Sequence, residues 1–496
     1  MAVPPGEVDL VPGEGVPLSN SLICLAVSIV IVVLELHYIK YKDAVDRYIR
    51  ESVFTPNSKE AFEEEDSVAV FVSPPTVTDI PVTVLPKEEA KTSFPVVKIK
   101  PCVEQLTEEE LGRRSSEFEG IQREFVLVYA LCYFCDFLKG PYNVILYQYH
   151  GLSLKQIAFV LTSGNFASLM VGTFAAAASD RLGRRFMCRV YCVLYSISML
   201  SKVSSNYHIL IAGRIVGSVG LSLLFTSFES WLVSVHGSLG LPSYMLQNAF
   251  ADAFFCQSVS AVVAGVVAQS VAYVCGVVAP FLVAVPIALF AFYRLGRWSE
   301  NYGDVKANPF LSLKRGFAVI YTSKGLQLLA LCETTFEACI GLWVFLWTPT
   351  VDSTGRQSSF GVMFSVYMIS TMIGGLLCRL VSVPTLLVTV HFLFLISVVG
   401  AVLLYRYKTV VFVCYCLIEM SVGIFFSTHP TVRSGLVEDA TRSSVLSWFR
   451  VPINLLVFTL LNLNLTPRQL LYVLVILQSV SGLGMLLFRR WANSSK

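Results

Sequence analysis

Residues 176–185 read Ala-Ala-Ala-Ser-Asp-Arg-Leu-Gly-Arg-Arg and stand between two long apolar segments of the chain. In this stretch a single carboxylate is accompanied by three guanidinium groups, those of Asp180 and of Arg181, Arg184 and Arg185. Such a carboxylate forms charge-assisted hydrogen bonds that hold helix ends together, and Gly183 permits a tight reversal of the chain. The stretch predicts a structured polar loop between two helices. The alternative is a generic basic loop beside a membrane.

The composition of the whole chain indicates that lipid surrounds most of it. Of its 496 residues, 55% are hydrophobic and only 14% are charged, and the mean hydropathy is +0.66. A chain of this composition cannot form a water-soluble fold without exposing a large apolar area. The net charge is only +3, and Lys and Arg occur in short clusters between apolar runs. We therefore expect a lipid bilayer as partner and no nucleic acid.

Twelve apolar segments follow residue 120, each close to the length of about 20 residues that crosses a hydrocarbon core about 30 Å thick. They lie at 125–149, 156–178, 186–205, 208–235, 245–273, 276–294, 326–350, 358–380, 384–405, 409–429, 444–463 and 468–488. A polar stretch separates two sets of six, which is the outline of a transporter whose halves rock about a central site. We expect an all-α membrane protein with twelve helices in two halves, plus one extra transmembrane helix at 22–36.

The distribution of Lys, Arg and Pro predicts the organisation of the chain. The expected units are the extra helix at 1–40, a flexible cytoplasmic linker at 41–120, a first six-helix half at 121–294, a cytoplasmic central loop at 295–325, and a second half with a short tail at 326–496. Cations concentrate after the first apolar run, around 181–189 and in the central loop, and cytoplasmic loops are the ones enriched in Lys and Arg. This predicts the N-terminus outside and the C-terminus in the cytoplasm. The cell membrane is the expected location, although the sequence leaves open which membrane of the cell holds the protein.

Several strings along the chain resemble a known family. Residues 176–185 are similar to the major facilitator signature G-x-x-x-D-R-x-G-R-R, with Ala176 in place of the leading Gly. Other strings resemble the molybdate-anion transporter family over roughly residues 129–455: Asp136-Phe-Leu-Lys-Gly-Pro-Tyr142, Phe228-Glu-Ser-Trp231, Ser299-Glu-Asn-Tyr302, Phe345-Leu-Trp-Thr-Pro349 and Trp448-Phe-Arg-Val-Pro452. The resemblance implies the major facilitator fold and transport of molybdate, a tetrahedral dianion. Lys139, Asp252 and the linker are departures from the family pattern.

Ionisable residues inside apolar segments mark candidate functional positions, because each costs about 2.5–3.5 kcal/mol to insert into a membrane. The acids are Asp136, Glu229, Asp252, Glu333, Glu337 and Glu419, and the bases are Lys139, Arg214 and Arg450. Asp136 and Lys139 lie three residues apart and can pair on one helix face, and Glu333 and Glu337 share a face of their helix.

The cations among these residues are the predicted substrate contacts, since an oxyanion needs positive charge and hydrogen-bond donors. Arg450 is the first candidate, followed by Lys139 and Arg214. The acids Asp136, Glu229, Glu333, Glu337 and Glu419 are predicted to line the cavity or to couple transport to protons, with Glu337 and Glu419 as the leading proton carriers. The alternative is that these charges form fixed ion pairs, such as Arg214 with Glu229 or Arg450 with Glu419.

Other functions remain as alternatives. The chain could be a non-transporting receptor or scaffold with the same fold, although mid-span charges argue against that, or a facilitator of a sugar or organic acid. An enzyme is disfavoured because no G-x-S-x-G, H-E-x-x-H or P-loop pattern stands in a usable context. No cofactor and no metal are expected, and Cys132 and Cys135 are interpreted as core packing. The coupling ion, the direction of transport and the oligomeric state are left open by the sequence.

Overall fold

The computed structural model describes residues 108–303, 309–351, 359–378, 381–437, 439–463 and 465–494. The predicted extra helix and nearly all of the predicted linker lie outside these residues. The described part belongs to one compact unit, Thr107–Lys496.

All regular secondary structure in the described part is helical. The α-helices are α1 (Glu108–Leu138), α2 (Asn143–Tyr149), α3 (Leu154–Leu182), α4 (Arg184–Leu200), α5 (Tyr207–Leu239), α6 (Ser243–Cys275), α7 (Ala279–Leu295), α8 (Pro309–Thr322), α9 (Lys324–Val351), α10 (Phe360–Leu377), α11 (Val383–Leu403), α12 (Lys408–Leu436), α13 (Asp439–Asn462) and α14 (Pro467–Ser494). A short 3-10 turn, Ser201–Val203, follows α4.

Each of the twelve predicted apolar segments is helical over most of its length. Ten of the described helices are long and apolar enough to cross a membrane, namely α3–α6 and α9–α14, and α7 is a shorter apolar helix. The first predicted segment is built as α1 and α2, with a break around Gly140 and Pro141. The all-helical membrane architecture is therefore confirmed, whereas the number of twelve crossings stays a prediction.

Two helical stretches lie where the sequence predicted irregular chain. The helix α1 starts at Glu108, inside the expected linker, because Phe118 and Phe125 recur at helical spacing and both are fully buried. The helix α8 occupies the expected central loop. It packs against α13, where the indole nitrogen of Trp448 donates a hydrogen bond of 2.8 Å to the carbonyl oxygen of Leu313 and the Trp448 ring meets Phe317. Both stretches form helices through tertiary packing that local composition does not reveal.

The helices pack as two groups that meet along two seams. In the first half, α3 and α4 pack on α5, and α1 packs on α6 and α7. In the second half, α9 packs on α14, and α12 lies against both α10 and α11. The seams are formed by α6 with α10 and by α3 with α13.

The two ends of the bundle differ. We call the end that holds residues 180–185 and 299–303 the motif side, and the end that holds 139–153 and 201–206 the opposite side. Hydrogen bonds between the halves lie toward the opposite side: Gly361 N donates to Gln269 Oε1 (2.9 Å), Ser365 Oγ to the Val262 carbonyl (2.8 Å), and Asn462 Nδ2 to Thr162 Oγ1 (3.4 Å). On the motif side a recess opens beside Arg184, Glu229, Phe250 and Tyr302.

Candidate transport site

Residues 176–185 form a structured junction, but the prediction of a loop there was wrong: 176–182 end α3, Arg184 and Arg185 begin α4, and only Gly183 lies between the two helices. Asp180 Oδ1 accepts hydrogen bonds from Arg184 Nε (3.0 Å) and Nη2 (2.8 Å). Arg184 Nη1 in turn donates to the Ser230 carbonyl on α5 (3.1 Å), and the Gly303 amide donates to the Asp180 carbonyl (3.1 Å). The motif thus links α3, α4, α5 and the chain after α7, as expected of a carboxylate among guanidiniums. Arg181 is exposed.

Glu300 completes this junction, although the sequence analysis gave it no site role. Its carboxylate accepts the backbone amides of Arg185 (2.8 Å) and Phe186 (3.1 Å), which are free donors in the first turn of α4. Gly183 has φ +105°, and a Cβ there would lie 2.6 Å from the Glu300 carboxyl carbon. The sequence contained two signals for the contact between 180–185 and 299–302. One was the acid in the string Ser299-Glu-Asn-Tyr302, and the other was the group of three arginines near Asp180.

A buried cluster of positive charge lies toward the opposite side of the first half. Lys139 and Arg214, both predicted as substrate contacts, act on each other electrostatically, and both act on Lys202. Lys202 follows α4, is only 2% exposed, and donates a hydrogen bond to the phenol oxygen of Tyr147. In the sequence, Lys202 is one of several isolated cations in loops. No neighbouring residue indicates that the turn after α4 folds into the protein interior.

The partners of this cluster leave it with excess positive charge. Asp136 pairs with Lys139, as predicted from their spacing. Arg214 Nη2 donates to Asn165 Oδ1 (3.2 Å) on α3, while its buried Nε has no hydrogen-bond partner in the described part of the chain. A Cβ at Gly164 would crowd the Arg214 side chain, so α3 approaches this guanidinium closely. Three cations therefore face one carboxylate in a largely dehydrated space.

Arg450 lies apart from that cluster. Its side chain is exposed on α13, which continues as a helix through Pro452, and the side-chain amide of Asn454 donates to the Arg450 carbonyl oxygen (2.8 Å). Arg450 interacts electrostatically with Glu337 on α9, which is partly buried. Glu419 instead accepts a hydrogen bond of 2.5 Å from Thr371 Oγ1 on α10. The alternative pairing of Arg450 with Glu419 is therefore not the arrangement in the structure.

The remaining predicted acids lie in different environments. Glu229 is exposed and lines the recess on the motif side. It cannot pair with Arg214, because fifteen residues of the same helix separate the two by about 22 Å. Glu333 is fully buried and forms an ion pair with Arg433 (2.5 Å), so its carboxylate does not face open space.

Metal binding finds no support in the described residues. They contain no group of three or more His, Cys, Asp or Glu that could hold a metal ion. Their cysteines are free thiols, and Cys132 and Cys135 are fully buried.

The packed helices, the cation cluster and the charged junction define a multi-pass membrane transporter with the major facilitator fold. Solved structures show the same fold: the E. coli xylose transporter XylE in its inward open conformation has a TM-score of 0.57 at 11% identity, over 75% of this chain and 95% of that one. The nucleoside transporter NupG has a TM-score of 0.59 at 11% identity, over 74% of this chain and 99% of that one.

Sequence comparisons place the chain more closely. Residues 105–421 match a family model described as sugar transporters, 12 TM. The molybdate-anion transporter of Xenopus tropicalis is 32% identical over 358 residues, and that of Takifugu rubripes is 30% identical over 377 residues. Each match covers 68% of this chain and 78% of the relative. The chain belongs to the molybdate-anion transporter family of the major facilitator superfamily.

Proposed function

We propose that the protein carries molybdate, or a similar tetrahedral oxyanion, across a membrane by alternating access. The names of its relatives support this substrate class, and the fold supports the mechanism, in which two halves expose a central site to each side in turn. No catalytic residue, cofactor or resident metal is assigned.

The observation that carries the proposal is the excess charge of the buried cluster. Lys139, Lys202 and Arg214 bring three basic groups, and Asp136 is the one carboxylate paired with them. Buried charge is strongly unfavourable unless it is paired, so this space favours a ligand that carries two negative charges. A tetrahedral dianion has that charge, and the unpartnered Nε of Arg214 and the lysine ammonium groups offer donors to its oxygens.

The remaining predicted site residues are given roles from their positions in the structure. Arg450, exposed on α13, is proposed as the contact that the anion makes on its way between the cluster and the motif side. Glu337 and Glu419 are proposed as cavity acids, and the Asp180 junction with Glu300 as the gate that holds the motif side. Closure of the two halves at Gln269 and Gly361 supports a conformation that opens toward the motif side.

The orientation and the division of the chain are proposals as well. The basic motif side is assigned to the cytoplasm by the excess of Lys and Arg, with the N-terminus outside and the C-terminus in the cytoplasm of the cell. The halves are assigned to residues 121–294 and 326–496, in the cell membrane.

The test is uptake by the purified full-length protein in liposomes. We expect uptake of radiolabelled molybdate that sulfate inhibits, and loss of that uptake in Lys202→Gln and Arg214→Gln. Lys155→Gln is the matched control, because Lys155 is an exposed cation on the same side of the first half. Uptake of xylose but not of molybdate would assign a neutral solute, and uptake of neither would support a receptor or scaffold.

A further inference from the structure

The second half contains a group of ionisable side chains that the proposed substrate route does not use. Glu333 on α9, His391 on α11 and His429 on α12 are 0%, 0% and 1% exposed. The rings of the two histidines are 5.3 Å apart, and His429 Nδ1 lies 3.5 Å from Glu333 Oε1. Arg433, one helical turn beyond His429, donates to the other carboxylate oxygen of Glu333. Three helices thus bring two imidazoles, one carboxylate and one guanidinium into a packed interior.

Most polar atoms of this group have unused hydrogen-bonding capacity within the described residues. The atoms are Glu333 Oε1, His391 Nε2, both ring nitrogens of His429 and Gln478 Oε1. Buried polar atoms are almost always hydrogen-bonded, so a concentration of such atoms at one place points to a role other than packing. Within the described residues, His391 is held by hydrogen bonds, of its Nδ1 with Ser481 Oγ at 2.9 Å and of its carbonyl oxygen with Gln478, whereas the ring of His429 has none.

The charge of the group changes by one unit with a single proton. With His429 neutral, Glu333 and Arg433 cancel each other. A proton added at His429 Nδ1 would face Glu333 Oε1 and turn their 3.5 Å contact into a charge-assisted hydrogen bond. The carboxylate would then be shared between two cations, Arg433 and the imidazolium, and its hold on Arg433 would weaken.

We propose that Glu333 and His429 form a buried proton-binding site, with His391 as the adjacent relay group, that takes up and releases one proton in each transport cycle. This inference rests on the transport activity proposed above. The proton enters past Arg433, which is partly exposed at the motif end of α12, and is held between Glu333 Oε1 and His429 Nδ1. Its release restores the neutral imidazole and the full ion pair of Glu333 with Arg433.

The groups that face this site from the surrounding helices are few. Those that are titratable or charged are Cys332 and Glu337 on α9, Arg433 on α12, and Arg450 on α13 through Glu337. The helix α14 contributes the neutral Gln478 and Ser481. Glu337 links the two sites, since it interacts electrostatically with both Glu333 and Arg450. A proton gained at Glu333 and His429 would therefore change the electrostatic environment of Arg450, the proposed anion contact.

The experiment uses liposomes that contain the full-length protein. It measures accumulation of molybdate driven by a pH difference separately from exchange of molybdate at equal pH on both sides. An outside solution more acidic than the lumen should drive accumulation of radiolabelled molybdate by the unmodified protein, and a protonophore should abolish it. Glu333→Gln and His429→Gln should lose this accumulation but keep exchange of molybdate at equal pH on both sides. Because Glu333→Gln leaves the Arg433 guanidinium without its carboxylate, the neutral pair Glu333→Gln with Arg433→Gln is tested beside it. His236→Gln, at a buried histidine of the first half, is the control that should keep both activities.

Two results would overturn the proton site: variants that keep full accumulation, and folded variants that lose exchange and accumulation together, as a purely structural cluster would. If the unmodified protein exchanges no molybdate, the proposed substrate fails and a second measurement decides on the proton site. Infrared titration of the purified protein should show that acidification shifts a carboxylate band and adds an imidazolium band; Glu333→Gln should remove the carboxylate shift, and His429→Gln should remove the imidazolium band. An unchanged spectrum in both variants would contradict the inference independently of the substrate.

Discussion

Gln269 on α6 accepts a 2.9 Å hydrogen bond from the backbone amide of Gly361 on α10, and so joins the two halves at the opposite side. The same amide oxygen accepts the hydroxyl of Tyr142 at 3.0 Å, just after the break in the first apolar segment. The contact requires close helix approach, since a Cβ at Gly361 would overlap the backbone carbonyl oxygen of Gly265. Closure of this side therefore depends on the Gln269 side chain, on the Gly361 amide and on close helix approach at glycines.

We predict that Gly361→Ala opens the opposite side, because the added methyl group cannot fit while α6 and α10 are in contact. Spin labels at the exposed positions Tyr149 and Leu463, one in each half, should move apart in electron–electron distance measurements. Gly375→Ala on the same helix is the control, since its Cβ would meet no atom closer than Ser427 Oγ at 3.5 Å. Equal distances in the two variants would show that the glycine contact does not hold this side closed.

The Asp180 junction should govern the rate of transport and not the affinity for substrate. Asp180→Asn removes the charge that two Arg184 nitrogens bind, at the motif-side end of α3 and far from the cation cluster. Transport should slow while equilibrium binding of molybdate stays nearly unchanged. Arg181→Gln, at an exposed position of the same helix end, should have a much smaller effect on transport. A large loss of binding in Asp180→Asn would place this residue at the substrate instead.

Glu300 should stabilise the folded protein through the start of α4. Glu300→Ala leaves the amides of Arg185 and Phe186 without their acceptor, and loss of a helix N-cap costs about 0.5–2 kcal/mol. A lower midpoint of thermal unfolding in detergent is the expected result. Tyr302→Ala, at a side chain that is 59% exposed, should leave the midpoint nearly unchanged. A similar midpoint for both variants would mean that solvent satisfies these amides equally well.

The sequence predicted the membrane helices well, because apolar runs of spanning length carry their own signal. It did not predict α8 or the start of α1, where helix formation depends on partners such as Trp448 and on burial of Phe118. The spacing of Asp136 and Lys139 correctly predicted their ion pair. The spacing of three or four residues predicts contacts between side chains of the same helix, and it predicts no contact between different helices.

The candidate site was harder to predict because it joins residues from distant segments. Lys202 in a loop and His429 in an apolar run show no distinguishing local pattern, yet both are buried against charged groups. Glu333 and Glu337 lie four residues apart on α9 and interact electrostatically, as their spacing predicted, but the sequence did not show that Arg433 binds Glu333 in the interior while Glu337 lies near Arg450. Partner choice across helices is a property of packing, and periodicity along one helix does not contain it.

Arg450 should contact the transported oxyanion directly. Arg450 is exposed on α13, two residues before Pro452, and its carbonyl oxygen accepts a hydrogen bond from the Asn454 side chain. Arg450→Lys keeps the charge but loses the planar fork that binds two oxygens at once, so molybdate should bind more weakly. Arg450→Gln should nearly abolish binding. Both variants should reach the membrane at normal levels, which surface labelling measures.

The competing explanation is that Arg450 only neutralises a neighbouring acid, and the structure identifies that acid as Glu337. A purely structural pair predicts that Arg450→Gln combined with Glu337→Gln recovers the uptake that either single change removes, since no unpaired charge is left. A substrate contact predicts that the double variant stays inactive, because the anion has still lost its donor. Arg450→Gln with Glu419→Gln is the matched control: Glu419 is held by Thr371, so this combination should rescue nothing under either explanation. Recovery in the Glu337 double variant alone would assign Arg450 to helix packing and leave Lys139, Lys202 and Arg214 as the proposed anion contacts.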